Sequence, residues 1–411
     1  MKDDLMIEIG DALFGFQAAL KEGGSTLKEH LEKYYYQKWM GDTLLAAISI
    51  RTTFVTAMHQ FLADEGLFNI ERIQLSPVTD PLAHDVEHVP SISYKGLHYV
   101  MTHSMIYSKF LACHHPRIKG IFIDSPNIRL EVESPDRIQR GKYIIDFSQM
   151  DLEVRRNRGI DFEDYLYKPD MVKETLREDM AIAKDLFERM LIHSMVKIVK
   201  KNKEELKELG VAIEIPKQPF PTFAYDQSRK KYSLKEYEVG LGKETSSQFF
   251  WITGIPRENY DLIYPYLKPD GKITLDEVTS DMVYNYDLCA KSIIQDTGEQ
   301  TEARELLSGA IREWLFELII ERLLDNKVIP AKPIIAEGNI ENINQLGGYG
   351  PFLLAASMKD DKGRSTFPDT FGGGIGIERT LYALCRGPKV EKIDDVTFFG
   401  KNPDSHQIYL F

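Results

Sequence analysis

The sequence predicts a fold that mixes strands and helices, and three stretches carry that reading. Ile121–Glu131 and Tyr143–Glu153 alternate in side-chain character like paired β-strands. Residues 170–209 are charged and amphipathic, as in one long helix or a helix pair that ends before Gly210. A glycine-rich run, Phe371–Gly376, feeds the apolar stretch Leu381–Cys385, which reads as a helix. Along the chain, residues 1–40 read as helical and include three consecutive tyrosines, Tyr34 to Tyr36. Residues 45–155 alternate helix and strand signals. Residues 219–285 mix short strands, such as Phe249–Thr253, with turns at Gly254–Pro256 and Pro269–Gly271. Residues 300–325 read as a further helix, and 330–366 as a loop-rich insertion around Gly347–Pro351. No internal repeat or low-complexity segment is present.

Composition narrows the class. At 411 residues the chain is one large domain, or one domain with insertions, long enough for a substantial core. Its net charge is −12, and its most basic runs are Arg155–Arg158 and Lys197–Lys203, so no strong nucleic-acid patch stands out. The three cysteines, Cys113, Cys289 and Cys385, are scattered and contain no CxxC, which suggests reduced thiols and a cytoplasmic home. No N-terminal apolar stretch reaches signal-peptide or transmembrane length, so no membrane partner is expected.

Two segments carry chemistry. Phe371–Thr380 packs four glycines, one acid and Arg379 into ten residues. Glycines open one backbone face, and the arginine opens a helix whose N–H groups favour anions. A nucleotide site fits this segment; so does a plain glycine-rich turn before a core helix. The second segment is the hairpin. Arg129 and Glu131 are two residues apart and would share a strand face, as would Phe147, Gln149, Asp151 and Glu153 on the returning strand. Arg137, Arg140 and Lys142 lie in the loop between. One polar face with both signs of charge and an aromatic suits a nucleotide: arginine on phosphate, glutamate on a purine amine, phenylalanine on the base.

At this point the chain resembles the class II aminoacyl-tRNA synthetases, in their aspartyl/asparaginyl branch. Ala47–Phe54, continuing through Phe61–Phe68 to Ile73–Pro77, is similar to motif 1; Ile128–Glu131 with Phe147–Asp151 to motif 2; Gly372–Arg379 to motif 3. Lys392–Phe399 is similar to the segment that closes the family's domain. The resemblance implies an α+β fold, a largely antiparallel sheet flanked by helices. It implies a helical extension at 1–44 and a catalytic domain at 45–411, with insertions around 155–215 and 290–366. It also implies a C₂ homodimer through motif 1, using Ile48, Phe54, Phe61 and Leu62. Residues 1–40 are too few for the OB barrel that precedes motif 1 in the family's tRNA ligases.

The resemblance further implies roles. ATP would be held by Arg129, Glu131, Arg137, Arg140, Phe147, Glu305, Gly376 and Arg379, with Arg129 and Arg379 the catalytic charge stabilisers. Mg²⁺ would sit on Asp287 and Glu305. The amino acid would meet Ser104, Lys109, Gln149, Asp151 and Arg312, where Lys109 would face an aspartate side-chain carboxylate and Arg312 would read a side-chain carboxylate or carboxamide. There are departures. The family's usual glutamine is Ile106 here, and residues 290–304, which include Glu299, separate the two metal acids. Outside the resemblance, Lys109 reads as a solvated helix lysine and Arg312 as part of a water-facing amphipathic run. His84 and His88 lack further zinc ligands, and His114–His115 reads as a surface turn.

Three functions follow. One is asparagine synthesis, in which aspartate is adenylated and ammonia displaces AMP; a stand-alone archaeal-type asparagine synthetase related to asparaginyl-tRNA synthetase is the nearest likeness, on Leu75–Leu82, Thr102–Lys109 and Ser125–Glu131. The second transfers activated aspartate or asparagine to tRNA, less favoured without the barrel, or to another acceptor. The third is a silent paralogue, which would have no need of both arginines, both acids and Phe147.

Overall fold

Met150, Leu152 and Val154 are buried at every second position, and the strand they define is the spine of the sheet. The computed structural model describes residues 36–78, 90–129, 146–225, 234–256, 280–291, 303–325 and 327–398, with a few isolated residues and two-residue strands between them. Eight strands form the main sheet: β1 (Phe68–Asn69), β2 (Gly120–Ile128), β3 (Asp146–Arg155), β4 (Thr222–Ala224), β5 (Phe249–Thr253), β6 (Asn285–Ala290), β7 (Arg304–Ile311) and β8 (Thr370–Gly376). Their order is β1-β2-β3-β8-β7-β6-β5-β4. Pairing is antiparallel through the interior and parallel only at the two edges. This is the expected α+β architecture.

Helices pack around it: α1 (Asp42–Asp64), α2 (Ile106–Ala112), α3 (Pro169–Lys201), α4 (Lys203–Leu209), α5 (Phe316–Asp325), α6 (Gly350–Ser357) and α7 (Ile377–Cys385). In α3, Pro169 opens the first turn, and Val172, Leu176, Ala183, Phe187, Met190 and Met195 bury an apolar stripe. Gly210 stops α4 in a left-handed cap, φ 68°. Phe187 lies against Tyr286 of β6, so α3 covers the sheet face opposite the one that carries Asp287 and Asp151. Residues 169–209 thus supply helices that pack on the core.

Several expectations change. The helix read over 300–325 begins only at Phe316, because residues 304–311 are β7. Leu306, Leu307, Ala310 and Ile311 are buried on both faces, and such a strand has the continuous apolar character of a buried helix. Strand β2 ends at Ile128, with Arg129 just beyond it, and β3 begins at Asp146. The Ile73–Pro77 strand shrinks to Leu75–Ser76, in a small sheet with Ser91–Tyr94 and Leu97–Met101. The subunit face read on α1 is corrected at Phe54 and Leu62, while Ile48 is partly exposed. Phe54 and Leu62 are fully buried in the protomer's own core, and Phe61 lies beneath Arg189 of α3. His84, His88 and most of residues 1–44 lie outside the described residues; His115 is exposed in its turn. Cys113, Cys289 and Cys385 are free and buried, and burial pushes the Cys385 thiol up to about 12. No helix among the described residues is long and apolar enough to cross a membrane.

Just past β7, Glu313 is fully buried and accepts from the N–H groups of Trp314 and Leu315 at 3.0 and 3.1 Å. Burial pushes its pKa up to about 7, against the opposing pull of Arg322, those two N–H groups and Arg156. An acid raised in the folded state binds more protons there than in the unfolded chain. Its contribution is therefore present below about pH 4.5 and lost as pH rises through about 7. Glu313→Gln should flatten that fall, worth about 3 kcal/mol, in denaturant midpoints measured from pH 4 to 8.

Candidate active site

Cross-strand register assembles the polar face. Asp287 of β6 sits opposite Ser308 of β7, Ser308 opposite Gly374 of β8, and Gly374 opposite Asp151 of β3. Directly opposed residues point the same way, so this row runs across the sheet on one face. Three strand spacings separate the two acids by about 14 Å. The neighbouring row holds Gly376, Gln149 and Ser125, and Asn127 faces Phe147 beyond it.

Glu305 reaches the same face through a bulge. Leu288 pairs with Leu307, but Cys289 pairs with Glu305, which leaves Leu306 as the extra residue. Without it, the three-residue step from Ser308 would turn Glu305 to the back. The 290–304 segment is a hairpin extension, with 293–294 paired to 299–300, so the two acids stand on adjacent strands despite their separation in sequence. Glu299 belongs to that distal extension rather than to the main sheet.

Among the residues expected to meet an amino acid, Lys109 is not the solvated helix lysine it resembles in isolation. It is buried on α2, and its Nζ donates to Asp151 Oδ1 at 2.9 Å. Arg312, also buried, follows β7; its Nε lies 3.4 Å from Glu153 Oε1, which accepts from Thr370 Oγ1 at 2.7 Å. Gln149 Oε1 accepts from the buried Asn127 Nδ2 at 3.0 Å. Ser104 borders a small hollow with Thr102 and Tyr107. Ile106 is no gap in the site, because its side chain belongs to the hydrophobic core.

Among the residues expected to meet a nucleotide, Arg379 lies in the first turn of α7 and its Nη1 donates to the Glu305 carbonyl at 3.0 Å, with Glu305 Oε1 at 3.4 Å. Arg129 Nη2 donates to the His103 carbonyl at 3.3 Å, which brings it beside the Ser104 segment. Its guanidinium also lies 5.1 Å from the Phe147 ring centroid, so the ring read as a base platform carries the arginine here. Glu131, Arg137 and Arg140 lie outside the described residues.

Sequence reasoning missed three supports. Glu153 was visible in the strand alternation but not as the partner of Arg312. Asn127 gave no signal beyond its place on β2. Glu378 accepts from the Ser148 N–H at 3.0 Å and lies 3.6 Å from Arg51, joining α7, β3 and α1; burial raises its pKa.

Asp287 and Glu305 offer two carboxylates, and no group of three or more metal-ligating side chains occurs among the described residues. That donor set suits Mg²⁺, which is commonly held by one or two carboxylates together with substrate phosphates.

This sheet, with a charged face framed by the three motif segments, defines a class II synthetase catalytic core. The chain belongs to the family of tRNA synthetases class II (D, K and N), which matches residues 27–403. It is 25% identical over 153 residues to the aspartate–tRNA(Asp/Asn) ligase of Methanocaldococcus jannaschii, covering 34% of this chain and 30% of that protein. It is 27% identical over 157 residues to the aspartate–tRNA(Asp) ligase of Pyrococcus furiosus, covering 36% and 32%. The matched stretch thus spans about a third of these curated relatives. In fold it is similar to asparaginyl-tRNA synthetase from Pyrococcus horikoshii complexed with asparaginyl-adenylate, with a TM-score of 0.58 at 15% identity over 88% of this chain and 69% of that one. The Entamoeba histolytica asparaginyl-tRNA synthetase, also with asparaginyl-adenylate, gives 0.56 at 12% identity, covering 86% and 66%.

Proposed function

We propose that the chain activates aspartate with ATP as an aspartyl-adenylate, releasing pyrophosphate, and that ammonia then displaces AMP to give asparagine. The observation that carries the substrate is the pair of cations Lys109 and Arg312, each steadied by a carboxylate of β3 beside the same sheet face. Aspartate brings two carboxylates. One attacks the α-phosphate and the other needs paired positive charge, which Lys109 and Arg312 supply. To form asparagine the attacking group must be the side-chain carboxylate, so these cations would hold the α-carboxylate instead of the side-chain carboxylate that the resemblance implies.

No protein nucleophile is needed. Catalysis would rest on positioning and on charge stabilisation of an in-line displacement. Arg129 would bridge the attacking carboxylate and the α-phosphate, and Arg379 would take the γ-phosphate, leaving Glu305. Asp287 and Glu305 would hold Mg²⁺, whose chemistry there is to neutralise phosphate charge. Phe147 would receive the adenine after Arg129 turns to the phosphate.

A second reading, transfer of the activated amino acid to tRNA, is favoured by the names of the two curated relatives. A homodimer remains part of the proposal, through a surface other than Phe54 and Leu62. Magnesium-dependent ATP–pyrophosphate exchange tests the substrate. Aspartate should support exchange and asparagine next to none, because a side-chain carboxamide cannot attack the α-phosphate in place of the carboxylate. Preference for asparagine would overturn the aspartate reading.

A further inference from the structure

The four glycines of β8 differ in what forbids them a side chain. A Cβ on Gly372 would strike the Leu152 carbonyl as well as Glu153, and one on Gly373 would lie 2.8 Å from the Ser308 carbonyl. Backbone cannot yield, so these two glycines serve strand packing. A Cβ on Gly376 would meet nothing closer than 3.6 Å. Gly374 is different. Its added Cβ would lie 2.6 Å from Asp151 Oδ1 and 3.3 Å from Asp151 Cγ and Gln149 Cδ, all of them side-chain atoms. Asp151 Oδ1 is the same oxygen that accepts from Lys109 Nζ.

We propose that Gly374 is a positioning residue for the amino-acid end of the site: its missing side chain lets Asp151 lie flat on β8 and hold Lys109 at its 2.9 Å separation. This rests on the assignment of Lys109 and Asp151 to the amino acid. It also divides the glycine-rich strand between two ligands. Gly374 lies under the charges that meet the amino acid, while the nucleotide contacts lie at Gly376 and beyond. Asp151 is short and both it and Lys109 are buried, so a methyl group at 374 would have to push the carboxylate off its partner. No backbone atom is among the three nearest obstacles, so the conflict is with side chains of the site.

The test compares Gly374→Ala, Asp151→Ala and the double variant. Exchange kinetics give the KM for aspartate and for ATP, and calorimetry gives the binding of each ligand. Gly374→Ala should raise the aspartate KM about tenfold or more while leaving the ATP KM unchanged. In the Asp151→Ala background the same change should cost nothing further, because the group it displaces is gone. If Gly374→Ala fails to fold, a double variant as stable as Asp151→Ala alone still supports the clash with Asp151, and one less stable than Asp151→Ala overturns it. A raised ATP KM with unchanged aspartate KM, or additive losses in the double variant, also overturns the proposal. Wild-type protein that binds no aspartate would sink the amino-acid assignment itself and this proposal with it. Unaltered aspartate binding in Gly374→Ala would sink the positioning role alone.

Discussion

Arg379→Ala and Arg129→Ala are each expected to cut ATP–pyrophosphate exchange by about two to three orders of magnitude, the scale of one preorganised charge stabiliser. The two losses should differ in character. Arg379 is tied to the carbonyl and carboxylate of Glu305, and both side chains are partly exposed. An ion pair of that kind adds about 0–1 kcal/mol to stability, so thermal unfolding should barely move while exchange collapses. Arg129 stacks on Phe147 and binds the His103 carbonyl. Its removal also uncovers the ring, so nucleotide binding measured by calorimetry should weaken less than exchange does. Near-normal exchange in both variants would put the nucleotide elsewhere.

Lys109→Met should destabilise the protein by about 3–5 kcal/mol, because it strands Asp151 as a buried, unpaired carboxylate. The pair is enclosed, with side-chain exposures of 4% and 7%, so water does little to screen it. Adding Asp151→Leu removes the stranded charge and should restore much of that stability, while aspartate binding stays lost. Denaturant unfolding of the single and double variants reads the first effect and calorimetry the second. A single variant as stable as wild type would mean that the pair contributes little.

The sequence and the structure agree where one period governs a segment. Phe147, Gln149, Asp151 and Glu153 alternate on a strand whose other face is buried, so their shared face was legible from spacing alone. Asp287 and Glu305 were legible only through resemblance, since the bulge at Leu306 reverses the parity that spacing would give. The ion pairs of Lys109 and Arg312 depend on strand neighbours far away in sequence, which no local pattern encodes. β7 was misread because burial on both faces erases the period-two signal. Phe54 and Leu62 left the subunit face on α1 for a related reason: an apolar stripe says that something covers it, and here α3 packs on it.

The central claim is that aspartate is amidated without tRNA, and product analysis tests it most directly. Protein, aspartate, ATP and Mg²⁺ are incubated with ammonium and no tRNA, and asparagine and AMP are quantified. Asparagine and AMP should form in equal amounts, rising with ammonium and absent without aspartate. No asparagine under these conditions, with discharge of the aspartyl group only when tRNA is supplied, would contradict it.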